Sequence, residues 1–147
     1  MSVAGEKNKA LVRRFHEVLT EGGPEAIREL LAPDFVDHRP IPGYEDPGRE
    51  GYIQSVAAVH AAFSDARYVV EEQMAAEGDR VVSRLRLIGT HDRGEIAGFA
   101  PTGKRYEATA IVIHRIEGGK IVEEWTEGSD IAELTQARLE QEIGAML

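Results

Sequence analysis

The spacing of apolar residues changes near Arg67 from a helical period to a period of two, and that change divides the fold. Leu11, Val12, Phe15, Val18 and Leu19 recur at helical spacing, so residues 6–21 read as an amphipathic helix that stops at Gly22-Gly23. Pro24 opens a short second helix at its favoured first position, carrying Ile27, Leu30 and Leu31 toward Pro33. Residues 34–38 form a brief extended piece. Residues 39–51 hold three prolines and three glycines and read as a loop, either a lid over a site or a surface connector. A third helix places Tyr52, Val56, Val59 and Phe63 on one face and ends near Ser64-Asp65. From Arg67 onward residues alternate, and 68–76, 80–91, 105–117 and 120–127 read as strands. Glycines at Glu77-Gly78-Asp79 and Glu117-Gly118-Gly119 mark hairpin turns, and residues 92–104 form a longer connection. Residues 131–147 return to a helical pattern behind a capping-box-like Asp130 and Glu133.

Helices followed by long antiparallel strands are an α+β plan. A twisted sheet curls, and helices can close its concave side, which predicts a cone-shaped α+β barrel: three N-terminal helices on a curved antiparallel sheet, plus a C-terminal helix. At 147 residues this is one domain, with a core over 6–135, large enough to bury roughly 70% of its unfolded surface.

Composition narrows the chemistry. Without cysteine there is no disulfide, thiolate nucleophile or thiolate metal site. The formal charge of −9 and scattered basic residues argue against nucleic acid. A polar N-terminus argues against a signal peptide or membrane span, so the expected location is the cytoplasm. No histidine pair has metal-site spacing and no phosphate loop or cofactor fingerprint is present; neither metal nor cofactor is expected.

The candidate groups are therefore acid–base ones. His38 ends the short extended segment beside Asp37, which could orient it. His91 shares parity with Val81, Ser83, Leu85 and Leu87, and His114 with Ala108, Ala110, Val112 and Ile116, so both belong to an inner sheet face. Small residues beside His114 leave room for a cavity. Val122, Glu124 and Thr126 share one face of the last strand; if it is the inner one, burial raises the Glu124 pKa toward neutrality. His16 and His60 read as boundary residues of their helices, and Arg84 and Arg86 as outer-face residues or dimer contacts.

The stretches HEVLTEGGPEAIRELLAPDFVDHRP, GREGYIQSVAAVHAAFSDA, LIGTHDRGEIAGFAPTGKRY and IHRIEGGKIVEEW resemble the SnoaL-like polyketide cyclases, or ester cyclases, of the nuclear transport factor two-like superfamily. The resemblance implies the same α+β cone, usually a homodimer, closing a polyketide ring by cofactor-independent aldol condensation around an apolar pocket. In such cyclases an aspartate seven residues after the glycine of the Gly-Lys-Ile turn is the acid–base group; counting from Gly119, this chain has Thr126 there.

The reading that follows is a cyclase or isomerase acting on an apolar, carbonyl-bearing molecule. His38 or Glu124 would take the α-proton, and His91 or His114 would stabilise the enolate. Phe15, Leu19, Tyr52, Ser55, Val59, Phe63, Val112 and Thr126 would line the pocket. Two alternatives stay open: a non-catalytic binding module of the same fold, and an epoxide-type hydrolase, which needs two carboxyl groups and an arginine together.

Overall fold

The computed structural model describes residues 2–76, 78–128, 140 and 143–146. Helix α1, Val3–Glu21, starts where the Ser2 hydroxyl accepts the Gly5 N–H and ends at Gly22 in the left-handed conformation. A side chain at Gly22 would meet the His60 ring as well as strain, so two constraints fix this glycine. Helix α2 is Pro24–Leu30, and its successor β1, Leu31–Asp37, follows directly. Helix α3, Arg49–Ala62, precedes β2, Arg67–Ala75; β3, Arg80–Thr90; β4, Arg105–Glu117; and β5, Lys120–Gly128. Periodicity thus located the three helices and four long strands. The predicted C-terminal helix is seen only at residues 140 and 143–146, and its cap at Asp130 and Glu133 lies outside the described residues.

The sheet runs β1-β5-β4-β3-β2 and is curved but not closed, with β1 and β2 at its free edges. Strands β2 to β5 pair antiparallel, as their alternation predicts. A fifth strand, β1, lies parallel to β5 and sets Asp37 in register with Glu124. This strand adds one parallel edge pair to the curved antiparallel sheet that alternation predicts. A parallel partner needs no hairpin turn, so it leaves no turn signature, and Pro33 is tolerated because β1 is an edge strand.

Helices α1 and α3 cover the concave face in two apolar groups. Val12, Phe15 and Leu19 of α1 pack with Phe35, Ile53 and Ile121. Val59 and Phe63 pack with Leu85, Leu87, Tyr106 and Val112. Tyr68 touches both groups, and the seam between them is where the inner face is not filled. On the outer face Arg84 pairs with Glu72, and Arg86 with Glu71 and Glu107, as their parity required.

Candidate active site

The unfilled seam is a cavity of about 90 Å³. Leu19, Val56, Val59, Leu85, Leu87, Ala110 and Val112 supply its apolar wall, and the small Ala110 leaves space where a larger residue would close it. Exposed Arg39 and Gly128 stand at the mouth; buried His16 and Glu124 form the deep end. Of the expected lining, Leu19, Tyr52, Ser55, Val59, Val112 and Thr126 are there.

Alternation along β5 turns Glu124 inward, where it is 5% exposed. Its Oε1 accepts the Tyr52 hydroxyl at 3.1 Å and lies 2.7 Å from His114 Nε2. Both contacts use Oε1, which leaves Oε2 for a ligand. Burial is the main cause that lifts the Glu124 pKa to about 7; the Tyr52 hydrogen bond opposes it. Asp37, 8% exposed and facing Glu124 across the β1–β5 register, is raised to about 6, by burial first and by the Glu124 charge second. Its Oδ1 accepts the Arg39 backbone N–H at 2.9 Å. Two neighbouring carboxyl groups that both titrate near neutrality can take up and release protons at that pH.

His114 is fully buried behind Glu124, and burial drives its pKa down to about 3. The imidazole is therefore neutral: with Nε2–H it donates to an ionised Glu124, and as the other tautomer it accepts from a protonated one. It holds the carboxyl group from behind and is not itself part of the cavity wall. Phe15, also expected in the wall, supports the site from behind, its ring 5.8 Å from Tyr52 and 5.5 Å from His114.

Three expected residues stand elsewhere. His38 has the opposite parity from Asp37 and lies on the outer face, stacked 4.7 Å over Trp125 with Nε2 2.7 Å from Glu123 Oε2. Its side chain is 38% exposed. His91 is inward as its parity predicted, but beyond the end of the cavity: Nε2 donates to the Gly94 carbonyl at 2.7 Å and the ring stacks on Phe63. Both Phe63 and His91 belong to the packed core.

Four polar cavity residues are not among the candidates that the sequence offers: His16, Asp37, Arg39 and Tyr68. Alternation within Phe35-Val36-Asp37-His38 carries the signal for Asp37, since Phe35 and Asp37 are buried while Val36 and His38 are exposed. His16 corrects the boundary expectation: it is 1% exposed, because it follows Val12 by four residues and precedes Leu19 by three on the buried stripe. His60 does sit at a boundary, with Nε2 donating to the Leu19 carbonyl at 2.7 Å. Among the described residues no three His, Asp or Glu side chains are grouped to hold a metal ion, and no helix is long and apolar enough to cross a membrane.

Comparison with known proteins agrees with this architecture. Residues 9–137 match the SnoaL-like polyketide cyclase family. Aklanonic acid methyl ester cyclase DnrD of Streptomyces peucetius is 31% identical over 116 residues, covering 76% of this chain and 77% of its own. AcmA of Streptomyces galilaeus, which carries the same enzyme name, is 30% identical over 112 residues, with 76% and 77% covered. Among solved structures, IdmH from Streptomyces antibioticus superposes with a TM-score of 0.71 at 33% identity, covering 89% of this chain and 98% of that one. AclR from Streptomyces galilaeus gives 0.75 at 26% identity, with 92% and 97% covered. With the match running through both helices and sheet around the cavity, the chain belongs to the SnoaL-like polyketide cyclase family.

Proposed function

We propose that this chain catalyses a cofactor-independent cyclisation or isomerisation of an apolar carbonyl compound, of the polyketide type its relatives are named for. The observation that carries the reading is the Asp37–Glu124 carboxyl pair at the deep end of an apolar cavity. Glu124, ionised, takes a proton from the carbon α to a carbonyl through Oε2. Tyr52 and His114 fix its orientation from the Oε1 side. The resulting enolate carbon attacks a second carbonyl of the same molecule, a C–C bond forms, and the alkoxide takes back the proton that Glu124 removed, which restores the carboxylate for the next turnover. The wall residues hold the chain folded so that the two carbons meet. Thr126, at the position of the cyclases' aspartate, cannot move protons near neutrality; Glu124 is two residues earlier on the same strand face and takes that part.

The test is solvent deuterium exchange at the α-methyl group of aryl methyl ketones such as acetophenone, followed by proton NMR. Native protein should accelerate exchange, and Glu124→Gln should remove about a hundredfold of that rate. Equal rates for the two proteins would refute the assignment.

A hydrolytic reading has one specific support: Asp37, Glu124 and Arg39 all line the cavity. However, Arg39 Nη1 donates to the carbonyl oxygens of Gly128 at 2.7 Å and Thr126 at 3.4 Å, at the mouth. Hydrolysis of an epoxide probe such as styrene oxide, abolished in Arg39→Ala, would favour it over the cyclase.

A further inference from the structure

His16 is the buried polar group of the cavity that this chemistry leaves unused. It is 1% exposed, on α1, and part of the deep wall. Its Nδ1 lies 3.0 Å from the Val12 carbonyl oxygen. A carbonyl only accepts, so Nδ1 carries the hydrogen and Nε2 is left as a bare lone pair. The bond to Val12 is the one hydrogen bond His16 makes among the described residues. Burial and the neighbouring His114 ring, 5.5 Å away, hold the His16 pKa down to about 3, so the ring is an uncharged acceptor.

Two hydroxyl groups of the wall have their hydrogens committed, and Asp37 and Glu124, once ionised, only accept. The Ser55 hydroxyl donates to the Tyr52 carbonyl at 2.7 Å, and the Tyr52 hydroxyl donates to Glu124. The deep end therefore offers acceptors, and an acceptor walled in by apolar groups costs free energy until a ligand supplies a donor. The donor that carbonyl compounds carry in their enol and phenol forms is a hydroxyl group.

We infer that His16 is a specificity residue whose Nε2 accepts a hydrogen bond from a hydroxyl group of the ligand, so that the cavity selects hydroxylated carbonyl compounds over their deoxy counterparts. The inference rests on the proposed function for its carbonyl ligand, but concerns binding and not proton transfer. A site built to bond a hydroxyl group discriminates strongly against a ligand that lacks it.

The experiment compares 4-hydroxyacetophenone with acetophenone, by calorimetric Kd, for native protein, His16→Phe and Glu124→Gln. Native protein should bind the hydroxy ketone about tenfold more tightly, His16→Phe should lose that ratio, and Glu124→Gln should keep it. A ratio retained in His16→Phe overturns the inference, as does a ratio lost only in Glu124→Gln, which moves the contact to the carboxyl group. Loss of α-exchange in neither variant would refute the base assignment while leaving the binding ratio to stand. Histidine-selective 15N NMR of native protein decides the matter without any variant. His16 should show the Nδ1–H tautomer, with the Nε2 resonance moving on addition of the hydroxy ketone and not of acetophenone. An Nε2–H tautomer, or a resonance that stays in place, overturns the inference.

Discussion

Replacing Glu124 by Gln should stabilise the protein at alkaline pH while removing its activity. Glu124 titrates near 7 in the fold against an ordinary value of 4.5. Because the folded value is the higher one, folding is favoured most below 4.5, where the side chain is neutral in both states. Stability is then lost as pH rises through 7, since the unfolded chain ionises freely and the buried carboxyl group does not. Above both values the cost to the native state is about 3 kcal/mol. Glutamine keeps the shape and retains an oxygen for Tyr52 and His114, but loses the charge that strengthens those bonds, which offsets about 1 kcal/mol. Asp37 gains in addition, because the Glu124 charge is one of the causes that raise it. The net expectation is about 2 kcal/mol of added stability at pH 8 and less than about 1 kcal/mol at pH 5. Urea unfolding at the two pH values measures this, and the terms from His16 and His114, present in both proteins, largely cancel in the difference. A variant less stable than native protein at pH 8, or an equal difference at both pH values, would refute the reasoning that Glu124 is a desolvated carboxyl group.

Three further outcomes follow from particular contacts. Tyr52→Phe removes the hydrogen bond that holds Glu124 down, so the pH at which activity appears should rise by about one unit in a pH–rate profile. His38→Ala, on the outer face, should leave turnover within about twofold and cost less than about 1 kcal/mol in urea unfolding, as the loss of an exposed polar contact does. Gly51→Ala would bring a methyl group within 2.2 Å of the Asp46 carbonyl oxygen; the melting temperature should fall as the 39–48 loop is pushed off α3, with about 2 kcal/mol lost.

Much of the framework was legible because alternation and turn glycines are local signals. The inward face of β3, β4 and β5 followed from parity, and parity brought Glu124 and Thr126 into the cavity wall. What escaped was set by neighbours distant in sequence. Nothing local says that Leu31–Asp37 docks parallel to β5, and that docking puts Asp37, not His38, beside Glu124. An imidazole beside a carboxylate suggests catalysis at His38, yet strand alternation sends His38 and Asp37 to opposite faces. His91 shows the limit of parity: an inward face extends past the cavity into the packed core around Phe63. His16 was within reach, since its spacing from Val12 and Leu19 places it on the apolar stripe; its polarity obscured the pattern.

The central claim is that a buried carboxyl group at Glu124, neutral or charged according to a pKa lifted by its surroundings, is the base of this site. Its most direct test is the pH dependence of α-deuterium exchange in native protein, beside that of Glu124→Gln. Exchange should rise with an apparent pKa close to 7 and be nearly absent in the variant across the range. An acid limb at the ordinary carboxylate value, or a variant that follows the native curve, would contradict the account.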